Sequence, residues 1–129
     1  KPRFVGDMPH GWVASDFIRS ALDLFAYERD ADNALVLAAG LPWPWLEGEG
    51  VAIENLRTAY GHLSFSLQRQ GGRLVLRVAE GLQPPPGGVV LVWPGTQPPG
   101  RTRLNGRPAG WQGAELRMHQ LPAEVIVGD

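Results

Sequence analysis

Two hydrophobic periods divide the chain. From Trp12 to Tyr27 the apolar residues Val13, Phe17, Ile18, Ala21, Leu22 and Phe25 recur at spacings of three to five, with Asp16, Arg19, Ser20 and Asp23 on the other side. That spacing predicts an amphipathic helix of about four turns, whose apolar stripe must be buried against another layer. After a polar break over residues 28–33 the period falls to two. The runs 34–40, 51–56, 61–70, 72–80, 87–95, 101–106, 114–121 and 123–129 each predict a short strand.

The turn chemistry between these runs agrees with that reading. Leu63, Phe65 and Leu67 alternate with His62, Ser64, Ser66 and Gln68, the pattern of a strand with one buried and one wet face. Gln70-Gly71-Gly72 predicts a tight return into Leu74, Leu76 and Val78. Asn105-Gly106 predicts a second hairpin, because a type I′ turn needs positive φ at both central residues. The proline-rich runs 83–88 and 94–100 are loops, since proline donates no ladder hydrogen bond. About eight strands with regular turns predict a mainly β chain, an antiparallel two-sheet β-sandwich preceded by one N-terminal helix. The expected division is a turn and helix over residues 1–30 and a sandwich over residues 31–129.

Composition narrows the function classes. A chain of 129 residues holds one core. Its formal net charge of -1, with twelve Lys and Arg scattered along the chain, gives no basic field for DNA or RNA. Without cysteine there is neither a disulfide frame nor a thiolate metal site. No apolar run reaches the roughly 18 to 20 residues that span a bilayer, so the chain reads as soluble, with cytoplasmic and secreted locations undistinguished. It opens at Lys1 in mid-pattern and reads as part of a longer polypeptide.

No local signature selects a catalytic or cofactor site. His10, His62 and His119 lack partners at ligand spacing, and Asp30, Asp32, Glu47, Glu49 and Glu54 form no calcium loop, so they read as solvated turn carboxylates. There is no nucleophile elbow, and no glycine-rich turn opens a helix after a strand. The expectation is no metal and no cofactor. Aromatic residues remain: exposed indoles pack on sugar C–H faces, while buried ones fill a core. Trp43, Tyr60 and Trp111 are the candidate carbohydrate contacts.

The stretch GDMPHGWVASDFIRSALDLFAYERDADNALVLAAGLPWPWL, followed by LRTAYGHLSFSL, resembles the C-terminal end of a group of large bacterial glycosidases. In that group an (α/α)6 barrel is followed by a small β-sandwich. The matching motifs are Pro9 to Trp12, Leu35 to Leu46, Thr58 to Ser64, Val89 to Pro94, and Leu104 to Gly106. The resemblance implies that the helix belongs to the barrel or to the bridge from it. It also implies that the sandwich packs on the catalytic barrel of the same polypeptide as an accessory domain. His10 and Trp12 would then lie near the glycone, with Asp16 the nearest carboxylate, at a place where that group often carries glutamate. Trp45 takes the place of the motif's packing tryptophan, and Trp43 falls at a free position. A carbohydrate-binding module using exposed aromatics, and a protein-interaction or structural sandwich, are the alternatives.

Overall fold

A computed structural model describes residues 3–4, 26–39, 46 and 50–128. Eleven strands form among the described residues, in chain order: β1 (Arg3–Phe4), β2 (Ala26–Arg29), β3 (Ala34–Leu37), β4 (Val51–Thr58), β5 (Gly61–Gln70), β6 (Arg73–Val78), β7 (Val89–Val92), β8 (Thr102–Leu104), β9 (Arg107–Pro108), β10 (Glu115–Met118) and β11 (Ala123–Val127). They form a seven-stranded sheet in the order β1-β4-β5-β6-β11-β8-β9 and a four-stranded sheet in the order β10-β7-β3-β2.

One core joins the two sheets. Leu35, Leu37, Val89, Leu91, Leu116 and Met118 from the smaller sheet belong to the same buried cluster as Leu63, Leu67, Leu76 and Val125 from the larger one. The alternation that sequence shows in β5 therefore buries Leu63, Phe65 and Leu67 while Ser64 and Ser66 stay half-exposed. β4 keeps its own alternation in phase by a bulge. Ile53 faces Phe65 and Leu56 faces Leu63, so Glu54 and Asn55 together oppose the single residue Ser64. Asn55 takes φ of 56° there, and its N–H donates to Ser64 Oγ at 2.9 Å. Without the extra residue, Leu56 would point to solvent.

Both predicted hairpins form. Gln70 pairs with Arg73 across Gly71-Gly72, and Leu104 pairs with Arg107 across Asn105-Gly106, where φ is 51° and 83°. Asn105 also clamps its hairpin to β11: its Oδ1 accepts the Glu124 N–H at 2.7 Å, and its own N–H donates to the Glu124 carbonyl at 2.8 Å.

Three expectations need correction. The predicted helix ended at Tyr27, yet Ala26 and Tyr27 lie in β2, paired with Leu37 and Val36; residues 12–25 lie outside the described residues. Two residues are too few for a period to show, and the ladder to β3 decides their conformation. The supposed polar break is the end of β2 and the turn into β3, so the sandwich includes residues before position 31. Finally, the sheets are not wholly antiparallel: β3 pairs with β7, and β1 with β4, in parallel. Parallel neighbours require a long connection, and for β3 and β7 the intervening β4–β6 meander of the other sheet supplies it.

Candidate functional site

The register of the smaller sheet determines which side chains share its outer face. Tyr27 and Arg29 of β2, Ala34 and Val36 of β3, Val90 and Val92 of β7, and Glu115 and Arg117 of β10 all point away from the core. Because β2 and β10 are the two edges, any contact between them crosses β3 and β7. Such a contact exists. Arg29 Nε and Nη2 donate to Asp32 Oδ1 and Oδ2 at 3.0 and 2.8 Å, while Nη1 and Nη2 donate to Glu115 Oε2 and Oε1 at 2.6 and 3.0 Å. One guanidinium is thus forked by two carboxylates.

Arg117 completes the bridge. Its Nη2 lies 3.1 Å from Asp32 Oδ2 and 3.9 Å from Glu115 Oε1, and its Nη1 donates to the Gly87 carbonyl. Two cations and two anions balance. The small residues beneath make room for this roof, and Ala34, Val36 and Val90 are buried on a face that a sandwich normally leaves wet. The Arg29 forks, with further help from Arg117, hold the Asp32 carboxyl well below its usual range. Bonding to Arg29 likewise lowers Glu115 against the opposing effect of desolvation. Asp32 is therefore not the freely solvated turn carboxylate expected from sequence.

The bridge has a consequence for acid stability. A depressed folded-state pKa stabilises the native state above the unfolded pKa and loses that contribution as pH falls through the folded value. The unfolded references are 3.8 and 4.5, so the contribution of Asp32 and Glu115 is complete above about pH 5 and declines below it. Urea denaturation from pH 2.5 to 7 is expected to show a falling midpoint on the acid side. In the double variant Asp32→Asn, Glu115→Gln the curve flattens, whereas an unchanged slope would show that the bridge contributes nothing in solution.

A second feature is an aromatic corner at the end of β7. Trp93 and Trp111 meet edge to face, with ring centroids 5.7 Å apart and planes at 72°. The Trp93 indole N–H donates to the Gln97 carbonyl, and that of Trp111 donates to Thr102 Oγ1 at 2.7 Å. Thr102 is buried, and its hydroxyl in turn donates to the Gly100 carbonyl at 3.0 Å. Both rings are half-buried and pack on the core. Trp111→Phe is expected to cost about 1–2 kcal/mol in urea denaturation, through one lost hydrogen bond and the smaller ring. An unchanged midpoint would release Trp111 for a role at the surface.

The third feature is a trough of about 620 Å³ across the outer face of the larger sheet. Ala52, Ser66, Arg77 and Glu124 form one row across β4, β5, β6 and β11, and the Glu54–Asn55 bulge borders it. Arg77 Nε donates to Glu124 Oε2 at 2.9 Å across this row.

Among the sequence-predicted contacts, Tyr60 lies in the turn after β4, half-buried against the core, with its carbonyl accepting the Gln83 N–H at 2.9 Å. The aromatic contact described above brings Trp111 to Trp93 and not to Tyr60. His10, Trp12, Asp16, Trp43 and Trp45 lie outside the described residues. Sequence reasoning missed the Arg29–Asp32–Glu115–Arg117 bridge. Its signal was the alternation of Glu115 and Arg117 on one strand face, with partners 86 residues away. Among the described residues no three His, Asp or Glu side chains gather as a metal site, and no helix is long and apolar enough to cross a membrane. Comparisons with protein-family models, with curated proteins and with solved structures find no match to this chain.

Proposed function

We propose that this chain is a non-catalytic β-sandwich accessory module of a larger glycoside hydrolase, packed against the catalytic (α/α)6 barrel of the same polypeptide. The observation that carries the non-catalytic part is the state of the two carboxylates, Asp32 and Glu115, that converge on Arg29 among the described residues. Glycoside hydrolysis requires one carboxyl kept protonated as an acid beside a second that acts as base or nucleophile. Asp32 and Glu115 share one guanidinium and are both held ionised, which suits a staple and leaves neither as a proton donor. The glycosidase context rests on the motifs from Pro9 to Gly106 described above.

Purified chain incubated with a panel of aryl glycosides is expected to show no turnover, and measurable turnover overturns the proposal. The coding sequence upstream of Lys1 is expected to hold a long helix-periodic stretch. Fusing that stretch to this chain should raise the melting temperature of both parts. Independent melting of the two parts would sink the accessory role.

A carbohydrate-binding module is the second reading, favoured by the trough on the larger sheet. Its rim offers the Ser66 hydroxyl, the Glu54 carboxylate and the Arg77 guanidinium, a mixture of donors and acceptors suited to sugar hydroxyls. Glycan-array binding that disappears in Arg77→Ala would establish it over the first reading.

A further inference from the structure

At the β9 edge of the larger sheet the β8–β9 hairpin and the residues around the end of β10 line a cleft of about 560 Å³. That volume is within the range of about 300–1,000 Å³ typical of small-ligand sites. Its lining includes Arg107, Arg117, His119 and Gln120 and, among the described residues, no carboxylate. The charge of Arg117 is already matched, because Arg29, Arg117, Asp32 and Glu115 balance two against two. The Arg107 guanidinium is different: it is exposed, and no carboxylate pairs with it among the described residues.

The two walls are held in place. Arg107 follows directly on the Asn105-Gly106 turn, which the Asn105 side chain fastens to the Glu124 N–H. On the other wall the His119 imidazole lies against Gly88. A Cβ built on Gly88 would stand 2.7 Å from the Met118 carbonyl oxygen and 3.1 Å from both His119 Cε1 and Arg117 Cγ, and Gly88 takes φ of 81°, so glycine suits this close packing. The Gln120 amide adds a neutral donor.

We propose that this cleft binds the oxyanion group of a small ligand, a carboxylate or a phosphate, with Arg107 as the charged anchor and His119 and Gln120 as hydrogen-bond donors. A guanidinium presents parallel N–H groups that match two oxygens of either anion, which an ammonium or a hydroxyl does not. Selectivity then follows from Arg107: an oxyanion pairs charge with charge across two parallel bonds, whereas a neutral polyol brings no opposite charge and a cation is repelled by the guanidinium. The site does not depend on the accessory-module reading, since Arg107, His119 and Gln120 all belong to this chain.

The test is an amide-resolved NMR titration of the 129-residue chain at constant ionic strength with three probes: inorganic phosphate, glucuronate and glucose. Saturable shifts confined to 104–109 and 117–120 are expected with phosphate, glucuronate or both, and none with glucose. Phosphate alone or glucuronate alone would identify which oxyanion the cleft takes. Arg107→Gln is expected to weaken the saturable binding at least about tenfold, the loss of one charge-assisted interaction. Arg103→Gln, an alteration of the same hairpin that does not line the cleft, should leave it unchanged. Shifts that grow linearly with anion, that spread over the surface, or that persist in Arg107→Gln overturn the proposal. Because both substitutions are exposed or half-exposed, the amide spectrum of each variant also reports that it is folded.

Discussion

Gly87→Ala is expected to destabilise the chain by at least about 2 kcal/mol, with a matching fall in the urea midpoint. A Cβ at position 87 would stand 2.1 Å from the Asp32 carbonyl oxygen and 3.0 Å from the Ala34 nitrogen. Both atoms belong to the backbone of the β2–β3 turn, so no side-chain rotation relieves the overlap. The turn must move as a unit. That movement pulls on the bonds from the Gly87 N–H to the Asn33 carbonyl, 2.9 Å, and from the Leu35 N–H to the Gly88 carbonyl, 3.0 Å. It also displaces Asp32, the carboxylate through which both arginines are joined.

Two comparisons make this effect diagnostic. At Gly110, where an added methyl meets nothing within 4 Å, alanine should change stability by no more than about 1 kcal/mol, in the stabilising direction. Gly87→Ala should also flatten the acid limb of the stability curve, because a displaced Asp32 loses the partners that lower its pKa. A full acid dependence in a destabilised Gly87→Ala protein would separate the turn from the bridge.

The elements visible in the sequence are those fixed by neighbours in the chain. Gly71-Gly72 and Asn105-Gly106 announce their hairpins because the left-handed backbone they need is available to few residues. Leu63, Phe65 and Leu67 announce a strand because one face of it is wet. β7 was equally legible, as an apolar run between two proline loops. What sequence could not give was the sheet to which each strand belongs. Leu35 and Val89 lie side by side only because the β4–β6 meander passes through the other sheet, and nothing near either residue encodes that neighbour. β2 was hidden for a related reason, since its four residues join the end of one period to a polar turn.

The same distinction applies to the sites. Asn105 could be read as a turn residue, but its second role, accepting the Glu124 N–H, depends on β11 lying alongside β8. Arg29 and Asp32 stand three apart in what sequence shows as a hydrophilic break, and Glu115 enters only through the order of the smaller sheet. Sequence offers Trp111 as a candidate carbohydrate contact, while the groups that receive its edge and its N–H, Trp93 and Thr102, become visible only in the fold. The cationic cleft gave no sequence signal either, because Arg107 and His119 come from separate hairpin and strand ends.

The other large effect is expected at the centre of the larger sheet, where Leu76→Ala should cost about 2–5 kcal/mol. Leu76 is paired with Leu67 on one side and Val125 on the other, and all three are fully buried. Its truncation removes contacts from both neighbouring strands and from the smaller sheet packed above, a substantial share of the 5–15 kcal/mol that holds a typical domain folded. The adjacent Arg77→Ala should cost no more than about 1 kcal/mol, since it breaks only the Glu124 pair, in which the two side chains are 57% and 43% exposed. The contrast between adjacent positions tests the strand register itself. A slip by one residue would exchange the inward and outward faces of β6, placing position 77 in the core and position 76 in solvent. Equal costs at the two positions, or a larger one at Arg77, would therefore refute the pairing of β6 with β5 and β11, and with it the outer-face row that lines the trough.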